Sequence, residues 1–191
     1  MNILVDELEN IVKEKIGNIK INTDFRISIL FELLMQDNTV SKKQKIIQSL
    51  QLYYPNFLNI NDIDKAIKDM LWFYMCGKEL ANSKSKNTIG NKRQIYNYEF
   101  DAEYIYSAFM QQYGIDLQDI EYLHWWKFKA LFNGLSEDTQ FVKIMGYRAI
   151  DLNKIKDKKE KNRYKKLQEL YRLPDMRTEE EKEYDFGEAF S

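Results

Sequence analysis

The chain has 191 residues, 44% of them apolar and 14% aromatic, enough to bury a core in one domain or two small helical lobes. Charged residues make up 31% but cancel to a formal −1, so no global field points to DNA, an anionic membrane or an acidic substrate. A single cysteine, Cys76, excludes an intramolecular disulfide, and Met1–Glu9 lacks the basic start and apolar stretch of a signal peptide, so a reducing cytoplasm is the expected compartment.

The densest apolar run, Leu71–Cys76, is far short of the roughly 20 residues that cross a bilayer, and no membrane partner is expected. Two prolines and seven glycines are too few for the turns of an all-β fold. The expected class is mainly α, a multi-helix bundle, with room for a small N-terminal β-hairpin where Lys15–Ile21 turns at Gly17-Asn18.

Asn22-Thr23-Asp24 supplies N-cap oxygens for a helix carrying Phe25, Ile29 and Leu33 and ending near Asp37. Ser41 caps a second helix that runs to Tyr53 before Pro55. Asn61-Asp62 opens a third, in which Ile63, Ala66, Ile67, Met70, Leu71 and Tyr74 trace one face, with Gly77 as terminator. These make an N-terminal helical region over 1–78.

Residues 79–98 change to Ser, Asn, Lys and Gly and read as a flexible linker. A C-terminal helical region over 99–174 follows. Ala102, Ile105, Tyr106, Phe109, Met110 and Tyr113 form a stripe closed by Gly114, and Ile115–Leu135 reads as an aromatic helix with His124, Lys127 and Asn133 on a narrow polar seam. Ser136 is the expected cap of the next helix, with Phe141, Ile144, Met145 and Ala149 inward, and Asn153–Arg172 reads as a long helix of net charge roughly +6. Residues 175–191, at roughly −5 and with Glu179-Glu180-Glu181, read as an acidic mobile tail, folded back or solvated rather than a docking arm.

Chemistry is sparse. With His124 the sole histidine and Cys76 the sole thiol, neither a nucleophile–base pair nor a zinc site has its residues, and Asn59–Asp62 lacks the glycine and closing acid of a calcium loop. Isolated glycines give no phosphate loop. No catalytic residue, metal or other cofactor is expected, and the protein is read as a binding module rather than an enzyme. Lys154–Lys166 is basic but has one arginine, one aromatic and interspersed acids, which disfavours nucleic acid as a partner.

Ile21–Arg26, Tyr104–Leu117, Leu123–Phe128, Leu131–Leu135, Ile144–Arg148 and Leu173–Asp175 together resemble the bacteriophage gene-product-fifteen family, most densely after residue 98. The resemblance implies a gene of siphophages and prophages of Gram-positive bacteria, placed between the tail-tube and tape-measure genes, where tail-assembly chaperones are typically encoded. It thereby implies a chaperone that acts in the host cytoplasm, binding and solubilising the tape-measure protein until tail-tube subunits polymerise around it. The tail-tube protein is a second implied partner, and self-association is expected. The alternatives are a structural tail component retained in the virion and a nucleic-acid-binding regulator using Asn153–Arg172. Trp125, Trp126, Phe128 and Phe132 are the candidate protein-binding anchors; the plainer reading of each is core packing.

Overall fold

The structure is a computed structural model describing residues 2–17, 19–78 and 94–175. Among these it is mainly α, with eight α-helices and no strand beyond one isolated bridge. They are α1 (Leu8–Ile16), α2 (Phe25–Gln36), α3 (Lys42–Tyr53), α4 (Ile63–Tyr74), α5 (Ala102–Tyr113), α6 (Trp125–Asn133), α7 (Gln140–Ala149) and α8 (Lys158–Leu170). All but Asp175 of the acidic tail expected over 175–191, and most of the linker expected over 79–98, lie outside the described residues.

Local chemistry fixes the helix starts. Asp24 accepts from Arg26 N at the head of α2; Ser41 and Gln44 form a reciprocal capping box at α3; Asp62 accepts from Lys65 N at α4. Gly114, at φ 64°, closes α5 in the left-handed conformation that glycine adopts without cost.

The chain divides into two compact units. The first holds α1 to α4 and residues 122–128; the second holds α5, α7, α8 and the described residues of 83–121 and 129–174. The sequence boundary after residue 78 is therefore incomplete, because Tyr122–Phe128 belongs with the N-terminal helices.

In the first unit α2, α3 and α4 pack around Phe31, Leu50, Tyr53, Met70 and Phe73, all buried. The Tyr53 hydroxyl shares a 2.8 Å hydrogen bond with Ser28 Oγ, and Tyr54 donates at 2.9 Å to the Ala66 carbonyl, so both buried hydroxyls are satisfied. Burial raises the pKa of both tyrosines. Lys65 Nζ pairs with Asp69 and also reaches the Ile16 carbonyl at 3.4 Å, tying the end of α1 to α4.

The second unit is organised by a buried ion pair. Arg148 on α7 donates to both carboxylate oxygens of Asp101, at 2.6 and 2.9 Å, and to the carbonyls of Tyr171 and Ile95 at 2.6 and 3.1 Å. One guanidinium thus satisfies four acceptors from three separated stretches of chain, the fixed planar fork that lysine lacks. Around it Tyr96, Tyr98, Phe132 and Phe141 form an aromatic cluster, with Phe132 and Phe141 5.2 Å apart.

Several expectations are corrected. The N-terminal hairpin is absent from the described residues: Lys15 and Ile16 end α1, Gly17 takes φ 87°, and Ile21 is buried in an extended stretch. The linker's last residues pack, since Asn97 and Tyr98 are buried and the Asn97 side chain accepts from the amides of Glu99 and Phe100. Residues 115–124 are not helical, because the Asp116 carboxylate accepts from the amides of Gln118 and Asp119 and from the Tyr106 hydroxyl, stabilising a turn. Thr139, not Ser136, caps α7, while Ser136 Oγ accepts from Asp138 N in the turn before it. The charged helix begins only at Lys158, where Asp157 accepts from Glu160 N.

Candidate functional site

The four aromatic anchors expected from the sequence are core side chains. Trp125, Trp126 and Phe128 are 1%, 2% and 0% exposed and belong to the first unit; Phe132 is 5% exposed and belongs to the second. The Trp126 indole N–H donates at 2.7 Å to the Phe73 carbonyl, which also accepts from Cys76 N at 2.9 Å, and that of Trp125 at 2.8 Å to the Tyr74 carbonyl, so both rings bind carbonyls in the last turn of α4. Trp126 stacks on Phe73, Trp125 on Tyr74, and Phe128 on both Trp125 and Phe25. Two backbone bonds, Phe25 N to Leu123 O and Trp125 N to Thr23 O, both 2.9 Å, hold this segment to the head of α2.

His124 sits inside the same packing rather than on a polar seam. It is 2% exposed; Nδ1 accepts from Trp126 N at 3.1 Å, which places the ring proton on Nε2, a buried atom without a hydrogen-bond partner. Desolvation, aided by the Lys127 charge, lowers its pKa to about 4. A neutral imidazole with its acceptor already engaged by a backbone amide is a packing group. Cys76 is half-buried at φ 57°, just before Gly77 at φ 74°, a left-handed pair that ends α4.

Among the described residues no group of three or more His, Cys, Asp or Glu is placed to hold a metal. The first unit carries open clefts of mixed polarity. One of about 720 Å³ is walled by Lys15, Asp62, Asp64, Lys68, Trp72 and Met75, with the Lys15 ammonium 5.8 Å from the Trp72 ring centre. Its lysines and aspartates alternate, which gives no field for a single ionic ligand.

What the surface does offer is apolar side chains outside the cores. Leu4, Val5 and Leu58 are 88%, 76% and 93% exposed, and Leu30, Met35, Ile46 and Ile47 are exposed on α2 and α3. Single exposed apolar residues are ordinary, but a helical unit carrying this many has material for reversible contact with apolar helices. In the second unit the prominent surface is α8, where Lys158, Lys159, Lys165 and Lys166 are exposed while Gln168 anchors the helix through the carbonyls of Tyr147 and Ile150.

A family model described as "Bacteriophage Gp15 protein" matches residues 4–173. The chain belongs to that family. The Gp15 match spans both units and ends just after the short stretch that follows α8. No curated protein and no solved structure matches the chain. The sequence signals that point to the Gp15 family, Tyr104–Leu117 and Leu123–Phe128, are those that build α5, the Asp116 turn and the aromatic segment held to α4.

No helix among the described residues is long and apolar enough to cross a membrane.

Proposed function

We propose that this Gp15-family protein is a tail-assembly chaperone that acts by binding, not catalysis, and keeps the tape-measure protein soluble in the host cytoplasm until the tail tube polymerises around it. Membership of the family over residues 4–173 supports the reading, together with the gene position that the resemblance implies, between the tail-tube and tape-measure genes. The exposed apolar side chains on α2 and α3 agree with it: a tape-measure chain presents long apolar helical stripes, and helix-to-helix contact is the recognition mode they allow. The aromatic quartet is assigned to folding, so partner contact is proposed to fall on exposed residues such as Leu30, Ile46 and Ile47.

Co-expression with the tape-measure protein encoded beside it tests the reading. The partner is expected in the soluble fraction, co-purifying with this chain, and the chain is expected to be missing from purified virions by mass spectrometry. An insoluble partner with this chain alone in solution, or the chain retained in virions, overturns the proposal in favour of a structural tail component.

A further inference from the structure

α8 concentrates basic charge. Lys158, Lys159, Lys161, Arg163, Lys165 and Lys166 stand on it, and among the described residues none of the six has a carboxylate within ion-pair distance. Of the two acids at its head, Asp157 is occupied in capping Glu160 N, and Glu160 makes no ion pair with the six among the described residues. Like charges four residues apart, such as Lys159 with Arg163 and Lys161 with Lys165, destabilise a helix by a few tenths of a kcal/mol per pair. The attachment of α8 does not depend on them. Gln168 Nε2 donates to the carbonyls of Tyr147 and Ile150 at 2.9 and 2.8 Å, and Tyr147 contacts the rings of Tyr164 and Tyr171.

Those contacts settle which face is inward, and the outward face then has a definite pattern. At about 100° per residue Lys159, Arg163, Lys166 and Leu170 fall within roughly 60° of one another, opposite Tyr164, Gln168 and Tyr171, and the four span about 16 Å along the axis. All four are exposed, Leu170 by 71%. An exposed leucine alone means little; one in register with three cations at i, i+4 and i+7 that have no carboxylate partner among the described residues makes a stripe with a charged body and an apolar end.

We propose that Lys159, Arg163, Lys166 and Leu170 form a docking stripe for an acidic amphipathic helix of a partner protein, with carboxylates at i, i+4 and i+7 and an apolar residue one turn beyond. The proposal rests on the protein-binding reading above and names a surface and a partner chemistry for it. Protein fits better than nucleic acid on three counts. Five of the six cations are lysine, which lacks the bidentate fork for phosphate. The aromatic on the helix, Tyr164, is half-buried beside Tyr147 rather than presented to bases. Leu170 calls for an apolar counterpart that a phosphate backbone does not offer.

The test uses the full chain and anisotropy of labelled probes at low and physiological salt. The probes are a helical peptide with Glu at the three matching positions and Leu one turn on, a peptide of the same composition with the acids out of register, and a short duplex DNA. The registered peptide is expected to bind about ten-fold tighter than the scrambled one, K159E/R163E/K166E to lose about ten-fold, and L170S to lose a few-fold for the registered peptide alone. Equal binding of the two peptides overturns the stripe, as does tighter binding of DNA that L170S leaves unchanged. Circular dichroism checks that the triple variant folds; if it does not, L170S decides. If K159E/R163E/K166E still solubilises the tape-measure protein as wild type does, the stripe fails as its docking site while the chaperone reading stands. Binding of the registered peptide without tape-measure capture separates the two the other way.

Discussion

Trp126→Ala tests whether the aromatic segment is core or contact surface. The side chain is 2% exposed, stacks on Phe73 with ring centres 5.6 Å apart, meets Trp72 and His124 edge-on at 5.5 and 5.3 Å, and donates to the Phe73 carbonyl at 2.7 Å. Removing a buried tryptophan costs about 3–5 kcal/mol, because the cavity collapses only in part, and this range already includes the lost contacts. The Phe73 carbonyl loses the indole donor but keeps the Cys76 amide at 2.9 Å, so the lost hydrogen bond adds about 1 kcal/mol at most. Against a total stability of about 5–15 kcal/mol, such a loss moves the first unit close to unfolding. Urea unfolding followed by tryptophan fluorescence and far-ultraviolet circular dichroism reads it, with Trp126→Phe as the partner variant that keeps the ring stack and removes only the N–H. The expected order is wild type, then Trp126→Phe lower by about 1–2 kcal/mol, then Trp126→Ala lower by at least 3 kcal/mol. A Trp126→Ala protein within about 1 kcal/mol of wild type that has lost tape-measure capture would refute the core assignment and restore the residue as a binding anchor.

Two further outcomes follow from the buried polar groups. Arg148→Met leaves the Asp101 carboxylate, 0% exposed, without its bidentate partner and is expected to cost about 3–5 kcal/mol, whereas the double variant Arg148→Met with Asp101→Leu should recover much of that; both are read by chemical denaturation. His124 binds its proton less well folded than unfolded, with its pKa lowered from 6.5 to about 4, so its contribution to stability is complete above pH 6.5 and is lost as pH falls toward 4. Between pH 7 and pH 5 the wild type should lose at most about 2 kcal/mol more than His124→Asn, less where solvent reaches the ring, in matched urea titrations; parallel curves for the two proteins would remove His124 as the cause.

The helices whose starts are set by a side chain next to an apolar stripe were legible in the sequence. α2, α3 and α4 begin after Asp24, Ser41 and Asp62 as expected, because an N-cap is a local bond between residues two or three apart. Errors came where a distant or competing bond decides. The apolar density of Ile115–Leu135 suggests one helix, yet the Asp116 turn removes its first ten residues, and α6 begins only where the Phe25–Leu123 and Trp125–Thr23 backbone bonds hold the chain. Ser136 and Thr139 are equally good caps by type, and the choice between them depends on the Ser136 carbonyl accepting the Thr139 hydroxyl at 2.8 Å. The Arg148–Asp101 pair, 47 residues apart, has no local signature; an arginine amid the apolar pattern of α7 was the available hint.

The same distinction bears on function. Aromatic density marks where a chain has much to bury, and here the segment 122–128, far in sequence from α4, needs large rings to hold it against the end of that helix: two indole N–H groups reach the two carbonyls at its terminus. Residues that close a long-range contact of this kind are buried in making it, so their abundance in sequence says little about partners. Recognition has to be sought among side chains that packing leaves over, and these are undistinguished by composition: leucines and isoleucines on α2 and α3 with no place in the core, and cations on α8 with no carboxylate within ion-pair distance among the described residues. Lys159, Arg163, Lys166 and Leu170 were always in helical register, but the register acquired meaning only once Gln168 and the tyrosines fixed the inward face of α8.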